Sequence, residues 1–112
     1  MIRIENVVMD IEYENDYLRE LYETGKCKNK KYRFQPQVIH KYQRRVDTLL
    51  AATRVEDLFV LNSLNFEALE GSDRYSIRVD GKYRLEFRTH MKENEPQITI
   101  CELIDLTNHD KK

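Results

Sequence analysis

No stretch of this chain approaches the roughly 20 consecutive apolar residues that a helix needs to cross a bilayer, and a mean hydropathy of −0.75 describes a hydrated surface. The opening residues, Met1-Ile2-Arg3-Ile4-Glu5-Asn6, lack a basic segment leading into a long apolar run and a small-residue cleavage site. The expectation is a chain that stays in the cytoplasm and does not associate with membranes. Cysteine is scarce: Cys27 lies in a lysine-rich stretch and Cys101 in an apolar one. Two such thiols make no disulfide framework, and both are expected to be free. His40, His90 and His109 sit in three unrelated contexts, with no partner at zinc-site spacing, so neither a structural metal nor any other cofactor is expected. Internal repeats, low-complexity tracts and linkers are also missing. With 112 residues, 40% of them hydrophobic, the chain suits one domain spanning 1–112 around one modest core.

What the chain does have is charge, unevenly placed. The net charge is only −1, but the average conceals separate poles. Residues 1–23 carry seven acids against two bases, and residues 26–54 carry nine bases against one acid. Residues 55–73 then hold five acids and no base, and residues 74–92 hold six bases and two acids. A polyanion could therefore bind one side of the molecule and not the other.

The hydropathy pattern supports a strand, two helices and three further strands. Ile2 to Tyr13 is rich in Ile and Val and suits one strand and its exit. Asn15 or Asp16 can cap a helix whose apolar face is Tyr17, Leu18, Leu21 and Tyr22, with Gly25 as its stop. Lys26 to Phe34 reads as an exposed basic connection. Pro36 fits the first turn of a second helix, in which Ile39, Tyr42, Val46, Leu49 and Leu50 form a core stripe while Lys41, Arg44, Arg45 and Thr48 lie elsewhere around the helix. Arg54 to Leu58 can add one turn, and Phe59 to Gly71 reads mostly as loop.

Arg74 to Asp80 and Tyr83 to Arg88 alternate apolar and polar residues, as half-buried strands do, around Asp80-Gly81. A three-residue loop of Val79, Asp80 and Gly81, with Gly81 left-handed, sets Ile77 opposite Tyr83, Tyr75 opposite Leu85, Ser76 opposite Arg84 and Arg78 opposite Lys82. One hairpin face is then apolar, and the other presents cations on an exposed surface. Glu93 to Pro96 supplies a second turn before Gln97 to Leu106, an apolar run of the kind expected when both faces of a sheet are covered. The fold class is α+β, with the two amphipathic helices layered over one twisted sheet whose C-terminal part is antiparallel and three-stranded.

The run Asn65-Phe66-Glu67-Ala68-Leu69-Glu70-Gly71, followed by Arg74-Tyr75-Ser76-Ile77-Arg78-Val79 and Tyr83-Arg84-Leu85-Glu86-Phe87, resembles the core signature of HigB-type toxins in the RelE/ParE superfamily. Leu18-Arg19-Glu20-Leu21-Tyr22 and Tyr42-Gln43-Arg44-Arg45 occupy the places of that family's two helices, and the Asn108-His109 ending resembles one of its branches. The resemblance implies a RelE-like fold and a toxin of a type II toxin-antitoxin system. It also implies an endoribonuclease that cuts mRNA on the ribosome without a metal and so inhibits translation. The implied partners are a cognate antitoxin of helix-turn-helix, HigA-like type, the ribosome with its mRNA, and promoter DNA bound only by the toxin-antitoxin complex.

Such cleavage needs a base for the ribose 2′-proton, cations for the charge building on phosphorus, and an acid for the leaving 5′-oxygen. Guanidinium groups suit the second task, because their donors form a rigid fork matched to phosphate oxygens. Arg84 matches the strand arginine that the family uses at the scissile phosphate, and Arg78 joins it on the binding face. His109 is the expected acid–base group, since imidazole exchanges protons near neutrality. Its context, Asp105-Leu106-Thr107-Asn108-His109, lacks the aromatic residue of the family's aspartate-tyrosine-histidine ending. Glu67 falls where some members carry a catalytic histidine and is a second candidate base. The RNA-binding candidates are Lys28, Lys30, Lys31, Arg33, Arg44, Arg45, Arg74 and Lys82.

Each of these has a plainer reading. A run of lysines is usually a hydrated face, helix arginines commonly pair with acids such as Asp47 or Glu20, and Ser76 is a strand hydroxyl rather than a nucleophile. Tyr17, Tyr22, Tyr42, Tyr75 and Tyr83 fall on apolar faces and read as core. Two other functions remain open at this level: inhibition of DNA gyrase by a ParE-like use of the same scaffold, and a non-catalytic nucleic-acid-binding module.

Overall fold

The computed structural model describes residues 9–52, 56–91 and 98–108. The expected beginning of the first strand before Met9, Arg54, the Glu93 to Pro96 turn and His109 lie outside the described residues.

Strand β1 (Asp10–Tyr13) leads into helix α1 (Asp16–Thr24). Asn15 stands at the N-cap, but its side chain does not cap the helix. Its Nδ2 donates 2.7 Å to the Ile104 carbonyl and ties the helix start to the last strand instead. The helix stops where expected: Gly25 adopts φ 78°, a left-handed conformation that glycine enters without a Cβ penalty, and its N–H returns to the Leu21 carbonyl. The basic connection is not wholly irregular. Asn29 accepts from the Lys31 amide to start a short 3₁₀ turn at Lys30–Tyr32, and Tyr32 stacks on Tyr17 at 3.7 Å between ring centres. An aromatic partner, invisible to periodicity, orders this segment.

Helix α2 (Pro36–Ala51) begins on Pro36, as its missing N–H allows. Its buried residues are Val38, Tyr42, Val46 and Leu49. Val38 joins the stripe, Ile39 packs half-buried against it, and Leu50 is 37% exposed at its far edge. Tyr42 is buried because its hydroxyl donates 2.7 Å to the Leu18 carbonyl, which lets a phenol cross the α1–α2 interface without leaving a polar group unpaired. A single turn, α3 (Glu56–Phe59), and a 3₁₀ turn at Asn62–Leu64 follow.

The remaining strands are β2 (Glu67–Ala68), β3 (Tyr75–Arg78), β4 (Tyr83–Met91) and β5 (Ile98–Asn108). They form one sheet in the order β1-β5-β4-β3-β2, antiparallel except where β1 runs parallel to β5. The α+β expectation and the antiparallel C-terminal strands hold, and two-residue β2 adds a short strand to a region expected to be loop. The hairpin register differs from the expected one. Tyr75 lies opposite Phe87, Ser76 opposite Glu86, Ile77 opposite Leu85 and Arg78 opposite Arg84. The turn is Asp80-Gly81-Lys82, closed by the Val79 N–H to the Tyr83 carbonyl and by the Asp80 carboxylate accepting from the Lys82 and Tyr83 amides. That carboxylate does the work assigned to a left-handed Gly81, which is not in that conformation. The change in register moves each partner by two residues, so the segregation of faces survives.

Ile77, Val79, Leu85, Phe87, Cys101, Leu103 and Leu106 join Leu18, Leu21, Tyr42, Val46 and Leu49 in the core. Each fully buried aliphatic side chain of this kind stabilises the fold by roughly 1.5–3 kcal/mol. Along Cys101–Leu106 the opposite face of the sheet carries half-buried acids rather than a second apolar layer, contrary to the reading of Gln97 to Leu106 as covered on both faces. Within β5 the buried Cys101, Leu103 and Leu106 alternate with half-buried Glu102 and Asp105. The alternation is offset where Glu86 faces Asp105 but Phe87 faces Leu103, a bulge that leaves Ile104 extra in β5.

Candidate functional site

The polar face of β3 and β4 gathers the catalytic candidates. Strand pairing sets Arg78 directly opposite Arg84 and Glu67 directly opposite Ser76, which brings Arg84, Arg78 and Glu67 into one cluster. Arg84, expected from sequence on an exposed surface, is only 8% accessible. The reason is the Asn65–Glu67 segment, which β2 carries over it. The Arg84 Nε donates 2.8 Å to the Ser76 hydroxyl, and Nη2 donates to the Asn65 carbonyl and, at 3.3 Å, to the Ser76 carbonyl. The Glu67 carboxylate stands 3.7 Å from Nη2. Arg84 is thus buried among polar groups rather than in the apolar interior, beside Arg78, with Nη1 unpartnered among the described residues. Burial pulls its pKa below the ordinary guanidinium value while Glu67 works the other way. An arginine this basic keeps its charge throughout the physiological range regardless.

Sequence reasoning did not single out Asn65. It has φ 47°, the one non-glycine residue in the left-handed region among the described residues, and that conformation turns its carbonyl toward Arg84. Asparagine is the residue type that tolerates this backbone best after glycine, which was the available signal. Ser76 is fully buried and serves as the acceptor for Arg84, in keeping with its reading as a structural hydroxyl.

A second cluster lies where α2 meets the β3–β4 turn. Lys41, Arg44, Arg45 and Arg78 line a cleft of about 240 Å³ with Val79, Asp80 and Gly81. The spacing of residues 41, 44 and 45 puts all three on one helix face. The Arg45 Nε donates 2.7 Å to the Arg78 carbonyl, capping the edge of β3 beyond β2. Burial and the neighbouring Arg44 lower the pKa of Arg45. The acids expected to neutralise these arginines are engaged elsewhere: Asp47 accepts from the Tyr22 hydroxyl and Glu20 from the Lys28 amide.

The other cations are dispersed. Arg74 pairs with Glu86 at 3.0 Å on the sheet's polar face, Lys82 sits in the hairpin turn, and Lys28 borders a separate cleft shared with Asp16, Glu20 and Tyr32. Lys30, Lys31 and Arg33 are exposed along the basic connection. Farther along the polar face, Arg88 binds Asp73, Glu14 and Glu102 at 3.0–3.3 Å, and His90 lies 3.0 Å from Glu102. Acids outnumber cations there, whereas the Arg78–Arg84 end carries the excess of cations.

No helix among the described residues is long and apolar enough to cross a membrane. No curated protein matches the chain. The family model for the RelE-like toxin of the type II toxin-antitoxin system HigB matches residues 11–99, well over half of the 112 residues. The match takes in α1, α2 and the strands that carry Glu67, Arg78 and Arg84, and ends before Cys101. The chain belongs to the HigB-like family of RelE-like toxins, and its place in a type II toxin-antitoxin system gives it a cognate antitoxin as partner.

Proposed function

We propose that this toxin is a ribosome-dependent mRNA endoribonuclease that inhibits translation by cutting the message without a metal ion. The observation that carries the reading is the juxtaposition of Arg78 and Arg84 across β3 and β4, with the Glu67 carboxylate 3.7 Å from Arg84. Two guanidinium groups on one face suit a phosphodiester whose charge rises during reaction. The Asn65 and Ser76 contacts hold Arg84 in a fixed orientation, so little reorganisation accompanies that rise.

In the proposed step the ribose 2′-oxygen attacks the adjacent phosphorus as its proton passes to the Glu67 carboxylate. The bond from phosphorus to the 5′-oxygen breaks, and an acid, for which His109 is the candidate, protonates that oxygen. The products are a 2′,3′-cyclic phosphate and a 5′-hydroxyl. In-line geometry would come from the decoding site, where orientation is worth roughly 7 to 11 kcal/mol, and activity on free RNA is correspondingly weak. Lys41, Arg44 and Arg45, with Arg78, offer neighbouring phosphates a second set of cations. The antitoxin in this reading is a helix-turn-helix protein, and only the complex binds promoter DNA.

The test is incubation of purified 70S ribosomes carrying a defined mRNA with the toxin, mapping new 5′ ends. Cuts in the A-site codon support the reading; intact message beside a working control toxin overturns it. The burial of Arg84 gives one competing reading specific support, since an arginine that ties Asn65 to Ser76 could be purely structural in a non-catalytic binding module. Growth arrest by an Arg84→Ala protein that remains folded would favour that alternative.

A further inference from the structure

Three of the five large apolar side chains exposed among the described residues are consecutive: Phe59 at 54%, Val60 at 76% and Leu61 at 42%. They begin at the last residue of α3, and Phe59 and Leu61 line a cleft of about 330 Å³ with Asn62, Asn65 and Phe66. This is near the lower end of the size range of ligand pockets. The floor is firm: Phe66 lies edge-on to Phe59 at 4.7 Å and to Phe87 at 6.0 Å, which joins the cleft to the core. Leu58 and Leu64, on either side in sequence, are buried, so the outward residues belong to an anchored segment. An apolar stretch presented in this way marks a surface for a partner.

The surrounding charge specifies which kind. Residues 55–73 contain five acids and no base, and of these Glu56 and Glu70 are exposed. Nucleic acid and anionic lipid would be repelled. An apolar side chain flanked by lysine or arginine would be drawn in, its aliphatic or aromatic end filling the cleft while the cations meet the carboxylates of the same segment.

We propose that the Phe59–Leu61 surface docks a basic amphipathic segment of the cognate antitoxin. The site is separate from the cationic face assigned to RNA, yet it adjoins that face at one residue, since Asn65 both lines the cleft and accepts from Arg84. The proposal rests on the family's antitoxin partner, not on the nuclease reading. Its test contains no RNA, so the two can fail separately.

The antitoxin encoded beside the toxin is purified, and its affinity for the toxin is measured by calorimetry at low and high salt, with toxin released from the co-expressed complex. Val60→Lys and Leu61→Lys, at exposed positions, are expected to weaken binding about tenfold or more each with no change in circular dichroism or Tm. Glu56→Gln combined with Glu70→Gln is expected to weaken binding at low salt and to match wild type at high salt. Affinity within about twofold of wild type for both lysine variants overturns the proposal. So does a toxin that is dimeric alone and becomes monomeric on either substitution, because the surface would then join two copies of this chain.

Discussion

Asn65 and Arg84 hold one another: the left-handed backbone at Asn65 points its carbonyl at the Arg84 Nη2, and that contact closes the 65–67 segment over the guanidinium. A residue in the 65–67 connection and a residue at the start of β4 thereby form a single unit with Ser76 and Glu67. Substitutions within this unit separate chemistry from stability.

Arg84→Ala is expected to reduce ribosome-dependent cleavage by about 10²–10³, as for the loss of an electrostatic stabiliser. It also strands the buried Ser76 hydroxyl, with a stability cost of about 1–3 kcal/mol. Ser76→Ala with Arg84 intact is expected to lower Tm while keeping most of the cleavage rate. Denaturant unfolding beside single-turnover kinetics distinguishes them, and equal rate losses in the two variants would argue against a direct role for Arg84.

Glu67 is half exposed, so its removal should cost little stability. If it takes the 2′-proton, Glu67→Gln is expected to lower the single-turnover rate by about 10²-fold or more. An unchanged rate would reassign the base to another group.

The Glu102 carboxylate is held below the usual carboxylate range, first by its hydrogen bond to His90 and then by Arg88. A depressed folded-state pKa stabilises the protein above the unfolded value of about 4.3, and that contribution disappears as pH falls through the folded value. His90→Ala is expected to raise the Glu102 midpoint and flatten this part of the acid limb of stability. Carboxyl carbon shifts followed by NMR read the midpoint directly; no movement would show that Arg88 alone sets it.

Burial pushes the Cys101 thiol up to about 12, whereas Cys27 is only half-buried in the basic connection. Thiolate is the reactive form. At pH 8 a thiol reagent is expected to modify one cysteine per native chain, Cys27, and the second only on unfolding. Equal labelling rates, read by mass spectrometry of the peptides, would contradict the burial of β5.

The elements legible in the sequence were those fixed by local rules: the glycine that stops α1, the proline that starts α2, and the alternation of β3 and β4. Their identity and order needed no tertiary information. What escaped depended on distant partners. The hairpin register turned on the Asp80 carboxylate capping its own turn, which stood in for a left-handed glycine. The burial of Arg84 turned on Asn65, nineteen residues away in sequence. Tyr32, in a segment with no periodicity, was ordered by Tyr17. At the site, the alternation of apolar and polar residues placed Arg78 and Arg84 on one face, while no local pattern announced that α2 would bring Lys41, Arg44 and Arg45 to the end of that hairpin.

The parallel pairing of Asp10–Tyr13 with residues 100–103 has a consequence for synthesis. β5 lies inside the sheet, between β1 and β4, so neither neighbour gains its inner hydrogen-bonding edge until residues 98–108 have left the exit tunnel. Contacts spanning so much of the chain form late and slowly. The sheet of a growing polypeptide stays unfinished until the final strand slots into the middle, which gives an antitoxin time to arrive before the poison matures.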